Sequence, residues 1–189
     1  GKIREHHTNW NPPQGFQRRR WDLEGLLGDE PLWGRFWEAE PLTGAQKELF
    51  GAARDILYRE LSGLSTEPDR FGLIHSDLHL GNLMVDGDDL TVIDFDDAGF
   101  GWFSHELACA LHPGLGEPWF VEAEAAIIEG YSSVHPISQD EIESINTFLA
   151  VRSLMIVGWL TARPELPAYT YFPLVVAGAE AAADALIKQ

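Results

Sequence analysis

Between Arg70 and Arg152 the chain has no lysine or arginine, although fifteen Asp and Glu fall in the same interval. With a formal net charge of -17, the whole chain repels polyanions, so we expect neither a nucleic-acid nor a membrane partner. A single cysteine, Cys109, excludes an intramolecular disulfide framework and suits a reducing compartment, so a cytoplasmic location is expected. Long apolar runs are lacking as well: the longest patch, Leu154 to Leu160, is short for a membrane span and contains Gly158. Lysine is scarce, with only Lys2, Lys47 and Lys188. No glycine-rich strand–turn–strand pattern precedes His75, and the chain opens at Gly1 without a Met, as a truncated or proteolysed chain would.

What is present reads as an α+β domain, mainly α. Apolar residues make up 45% of 189 positions, enough for one compact domain spanning residues 1–189. Residues 1–42 are irregular and aromatic-rich, with Trp10, Trp21, Trp33 and Trp37 among Pro12, Pro13, Pro31 and Pro41; a short helix is expected near Leu32–Glu38, and His6 and His7 read as disordered. Arg18-Arg19-Arg20, the one basic run, reads as a solvated or salt-bridged face. Thr43-Gly44-Ala45-Gln46 has the form of a capping box, and Leu49, Phe50, Ala53, Ile56, Leu57 and Leu61 recur at helical spacing behind it, which predicts a helix over 43–62.

The period then changes. Phe71-Gly72-Leu73-Ile74 is a short apolar run, and Leu83–Val85 and Thr91–Ile93 flank the turn signal Asp86-Gly87-Asp88-Asp89, which predicts a hairpin. Residues 71–97 therefore form a loop and hairpin, and 101–189 a helical subdomain. Within the latter, Phe103–Ala110, Glu117–Tyr131, a helix opened by Ser138-x-x-Glu141 and running to about Thr161, and Ala168–Ile187 interrupted near Pro173 are the expected helices.

The hairpin has a chemical consequence. Asn82 opens one strand and Asp94 closes the other, so a tight hairpin makes them neighbours, and Asp77 lies on the preceding loop. An amide oxygen and a carboxylate are hard ligands that suit Mg²⁺. Asp77 could orient an acceptor hydroxyl and take its proton while Asn82 and Asp94 hold metal on nucleotide phosphates. The interval Asp86 to Asp97, with six Asp in twelve residues, would attract divalent metal and cationic substrates.

His75-x-Asp77-x-x-x-x-Asn82 followed by Ile93-Asp94-Phe95-Asp96 resembles the aminoglycoside phosphotransferase and choline kinase superfamily, which has a protein-kinase-like fold. The resemblance implies the C-terminal lobe of that fold, with a small β-hairpin at the catalytic loop, from about Pro12 onward. It implies Asp77 as the catalytic residue, Asn82 and Asp94 as Mg²⁺ ligands, His75 as the residue positioning the loop, and Met84 and Ile93 as the apolar floor beneath the adenine of ATP. Met84 and Ile93 equally suit a plain hairpin core. Asp96 is a candidate for a second metal or a turn, Asp97 for a turn or a substrate-facing carboxylate, and His79 for loop packing or a role near phosphate. Cys109, His105, His112 and His135 read as structural or solvent-facing.

The family's N-terminal lobe supplies a phosphate-covering loop, a Lys and its Glu partner, and none of these patterns is present. We therefore expect the N-terminal ATP-clamp lobe to be absent and the isolated fragment to be inactive. The expected activity is transfer of the γ-phosphate of ATP to a hydroxyl of a small acceptor, aminoglycoside-, choline- or homoserine-like, with Glu106, Glu117, Glu122 and Glu124 favouring an amine-bearing one. Two other readings are a non-catalytic pseudokinase or binding fragment, and a metal-dependent hydrolase with His75, Asp77 and His79 as ligands.

Overall fold

The Thr43 box closes as its chemistry requires. The Thr43 hydroxyl accepts the Gln46 backbone N–H at 3.3 Å, and the Gln46 side-chain oxygen accepts the Thr43 N–H at 2.8 Å. In the computed structural model, which describes residues 1–87 and 89–188, the elements in chain order are α1 (Lys2–Asn9), β1 (Arg20–Trp21), α2 (Leu23–Leu27), α3 (Gly44–Ser62), β2 (Phe71–Ile74), β3 (Leu83–Asp86), β4 (Asp89–Val92), β5 (Gly99–Trp102), α4 (Phe103–Leu111), α5 (Phe120–Ser132), α6 (Gln139–Thr161) and α7 (Phe172–Ile187). Asp88, part of the expected turn, lies outside the described residues.

The chain divides into two compact units, one made of Gly1–Asp22 and Ser65–Leu149 and the other of Leu23–Leu64 and the residues from Ala150 onward. No composition shift marks the division, which is why the sequence reads as one domain.

The second unit is helical. Phe50, Ala53, Leu57 and Leu61 form the buried stripe of α3, and Phe172, Val176, Ala179 and Ala183 that of α7. Each large apolar side chain buried here contributes about 1.5–3 kcal/mol, and Gln46 Nε2 ties α3 to Glu180 on α7 at 3.0 Å. Pro173 starts α7 rather than kinking it, since its missing N–H costs nothing in a first turn. Instead of a helix over 32–38 there is a single 3₁₀ turn, Phe36–Glu38, because Gly34 at φ +89° breaks the run.

The first unit carries two sheets. β1, β5 and β2 form one in that order, with β1 parallel to β5, β2 antiparallel to it, and Phe71 opposite Trp102 and Ile74 opposite Gly99. β3 and β4 form the expected hairpin, with Leu83 opposite Val92. β5 went unforeseen because Gly-Phe-Gly-Trp carries two residues disfavoured in strands. The Ser138 box opens α6, with the Glu141 N–H on the Ser138 hydroxyl at 3.3 Å and the Ser138 N–H on Glu141 Oε2 at 3.0 Å.

The terminal segment is ordered where disorder was expected. His6 and His7 lie in α1, and Arg4 on that helix is buried. Its guanidinium meets Glu141 Oε1 at 2.7 Å, the Tyr131 hydroxyl at 3.2 Å and the Asp69 carbonyl, and sits 4.3 Å from the centre of the Phe103 ring. A charged residue in an unpromising helix hides this anchor from a sequence reading. The expectation that nothing reaches membrane length is also corrected: Gln139–Thr161 and Pro167–Ile187 both have mean hydropathy 1.3 over a spanning window, buried within the protein to 67% and 22% respectively.

Arg4 and Glu141 are 6% and 7% exposed, so removing one partner leaves a buried charge. Arg4→Ala is expected to lower stability by about 3 kcal/mol, read as a shift in urea midpoint at unchanged slope.

Candidate active site

β2 ends at Ile74, and the chain then turns sharply. Ser76 has φ +68°, a left-handed conformation that a residue with a side chain adopts at a cost of roughly 1 kcal/mol or more. Helix α4 holds it there. Glu106 Oε1 accepts the His75 N–H at 2.7 Å and Glu106 Oε2 accepts the Ser76 N–H at 2.8 Å. One turn on, the Cys109 thiol donates to the Ser76 carbonyl at 3.2 Å, and His105 Nε2 lies 3.5 Å from the Ser76 hydroxyl. His105, Glu106 and Cys109 share one face by helical spacing. Burial pushes the Glu106 carboxyl above its ordinary range, against the two N–H groups that pull it down.

The reversed backbone at Ser76 swings Asp77 out of the line of β2. Asn82 Nδ2 donates to the Asp77 carbonyl at 2.9 Å and lies 3.3 Å from Asp77 Oδ2. With the amide nitrogen so engaged, Asn82 Oδ1 is the oxygen left for a cation. His79 Nδ1 accepts the Gly81 N–H at 3.0 Å, which leaves the proton on Nε2, 3.5 Å from Asp77 Oδ2.

His75 connects this loop to the hairpin exit. Its Nδ1 accepts the Asp77 N–H at 3.3 Å and its Nε2 donates to the Ile93 carbonyl at 2.9 Å, a pairing that fixes the neutral Nε2–H tautomer. The Ile93 N–H in turn reaches the Asn82 carbonyl at 3.0 Å. Asp94 follows with φ +63°, and the Phe95 ring packs 4.7 Å from that of His75. Asp77 and Asn82 are thus in contact, and Asp94 leaves a residue bonded to both Asn82 and His75. Asp94 and Asp96 are exposed, and the carboxylates at 94 and 96 with the Asn82 amide are a donor set of the kind a hard divalent cation takes.

Three expectations change. Both ring nitrogens of His75 are occupied, and among the described residues no three His, Cys, Asp or Glu gather as a metal site, so the hydrolase reading with His75, Asp77 and His79 as ligands is overturned. Met84 and Ile93 are 59% and 38% exposed, so they are not a hairpin core. Asp97 stands in a turn, as one of its two readings has it, and pairs there with Arg19. Glu106, which had read as an acceptor-facing carboxylate, is buried beneath the loop; only its position on the helix after the Asp-Phe-Asp segment could have hinted at that.

The family model described as "Phosphotransferase enzyme family" matches residues 2–141. The chain is 31% identical over 154 residues to amicoumacin kinase of Bacillus subtilis (strain 168), covering 77% of this chain and 43% of that protein. It is 31% identical over 166 residues to homoserine kinase of Rhizobium rhizogenes (strain K84 / ATCC BAA-868), covering 78% and 48%. Among solved structures it resembles a microcompartment-associated aminopropanol kinase with TM-score 0.85 and 34% identity, over 97% of this chain and 58% of that one. The chain thus spans about half the length of the curated relatives it matches.

Glu106→Gln keeps the shape but puts an N–H₂ against one of the two backbone donors. It is expected to cost about 2 kcal/mol of stability and to raise hydrogen exchange at the His75 and Ser76 amides, measured by denaturant titration and exchange.

Proposed function

The chain belongs to the phosphotransferase enzyme family, and from that premise we propose that it carries the catalytic half of an ATP-dependent small-molecule kinase. The observation that carries this reading is the Asp77–Asn82 pair, joined at 2.9 Å and 3.3 Å beside the Ile93–Asp94 turn.

In this reading Asp77 orients the acceptor hydroxyl and takes its proton as the phosphoryl group moves. Asn82, through Oδ1, and Asp94 hold Mg²⁺, with Asp96 as an additional ligand. Bound there, the cation neutralises phosphate charge and orients the transferred group. His75 is a positioning residue: neutral and bonded at both nitrogens, it ties the Asp77 loop to the residue before Asp94. Met84 and Ile93, exposed on the hairpin, offer an apolar surface for adenine.

Two named relatives act on homoserine and aminopropanol, both small alcohols bearing an amine, and the acidity of residues 71–151 favours such an acceptor here. A triphosphate at this site needs more positive charge than residues 71–151 contain, which supports a further lobe contributing cations and completing the nucleotide site.

The 189-residue chain alone is accordingly expected to bind MgATP weakly by calorimetry and to form little ADP, and tight binding would sink the need for a second lobe. In the full-length gene product, Asp77→Asn is expected to lower ADP formation at least about a hundredfold at unchanged fold by circular dichroism. A near-normal rate would remove Asp77 from this role.

A further inference from the structure

The only basic run in the chain ends up against the acidic turn of the candidate site. Every residue from Asn11 to Arg20 is exposed, yet the segment is fixed at its end. The Phe100 N–H donates to the Arg19 carbonyl at 3.0 Å, and the Trp21 indole N–H donates to the Asp97 carbonyl at 2.8 Å. Gly99 admits this approach, since a Cβ there would collide with the Arg19 carbonyl.

The arginines of this unit are Arg4, Arg18, Arg19, Arg20 and Arg70. Arg4 is buried on Glu141, Arg19 pairs with Asp97, and Arg20 pairs with Asp22 at 2.8 Å. Arg70 lies within 3.9 Å of Asp69, 3.8 Å of Asp140 and 3.7 Å of Glu141. Arg18 alone among these five reaches no carboxylate at ion-pair distance within the described residues. Its guanidinium donates to the Asp96 carbonyl, at 3.4 Å, two residues beyond Asp94. In a unit this acidic, a guanidinium that meets the Asp96 carbonyl and, among the described residues, no carboxylate is unexpected. A planar fork of N–H donors matches the two oxygens of a carboxylate or phosphate.

Resting on the kinase reading, we propose that Arg18 is an oxyanion-binding residue of the site, contacting either a phosphate of the nucleotide or a carboxylate of the acceptor. Arg18 supplies the positive charge that residues 71–151 lack, from a segment the sequence places more than fifty residues upstream.

The test uses the full-length gene product and steady-state ADP formation, varying MgATP, homoserine (carboxylate-bearing) and 1-amino-2-propanol (carboxylate-free). Arg18→Gln is expected to raise one KM about tenfold or more, with a smaller change in kcat and an unchanged thermal midpoint, and Arg18→Lys recovers part of the loss. A rise in the MgATP KM with either acceptor identifies a phosphate, and a rise confined to the homoserine KM identifies the acceptor carboxylate. KM values within about twofold of wild type overturn the proposal. So does an equal loss of kcat with every substrate alongside a lowered midpoint, the signature of a brace for the Asp94–Asp97 turn. A wild-type protein that forms no ADP from any acceptor overturns the kinase reading itself and this inference with it.

Discussion

Glu106 bonds to two consecutive backbone N–H groups, and the geometry of the site follows from that clamp. Burying a carboxylate costs several kcal/mol after relaxation, so it is tolerated only where donors meet both oxygens. Here the donors belong to the residue that ends the strand and the residue that reverses the chain. The left-handed turn at Ser76 is unfavourable alone and persists because His105, Glu106 and Cys109 hold it from one helix face. Asp77 inherits its direction from that turn, Asn82 is bonded to Asp77, and His75 passes the constraint to Ile93. An alanine at 106 would leave two N–H groups buried without an acceptor and a strained residue without its restraint.

Charge organises the same region at longer range. Asp94, Asp96 and Asp97 crowd one turn, and their mutual repulsion is relieved from a segment 78 residues earlier, where Arg18 and Arg19 approach Asp96 and Asp97. The pairings are exposed, so each contributes little to stability. Their weight is in the local charge balance: Arg19 pairs with Asp97, while Asp94 and Asp96 stay exposed. An acidic composition that alone says solubility thus becomes, once folded, a turn of carboxylates of which Asp97 is paired and Asp94 and Asp96 are exposed.

Local signals survived folding best. The Thr43 and Ser138 boxes, the α3 stripe and the hairpin between Asn82 and Asp94 all depend on residues within a few positions of one another, and each stands where the sequence puts it. The elements that escaped depend on partners far along the chain. β1 is two residues long and exists only because β5 lies beside it, and β5 carries two glycines that a propensity argument counts against a strand. Helix α1 has no stronger credential than Arg4, whose partners stand 65 to 137 residues away. In the site, His75, Asp77 and Asn82 were legible because one loop brings them together, whereas Glu106 comes from a separate helix and its sequence context looks like any amphipathic turn.

The hairpin shows how fold and site share the same bonds. A two-stranded ribbon is marginal by itself, and this one is largely exposed, with Met84, Val85 and Leu90 all facing out. Its register is pinned at the open end by the Ile93 N–H on the Asn82 carbonyl and by His75 on the Ile93 carbonyl. Those bonds also fix the backbone of Asn82 relative to that of Ile93, the residue before Asp94. Register slip in the hairpin and displacement of Asn82 from Asp94 are therefore one event. A strand that slipped by one residue would turn Met84 to the opposite face and carry Asn82 away from Asp77. The neutral, doubly bonded His75 is what couples the two, which gives a physical reason for a histidine at the head of the loop where a residue with one polar atom would hold only one side.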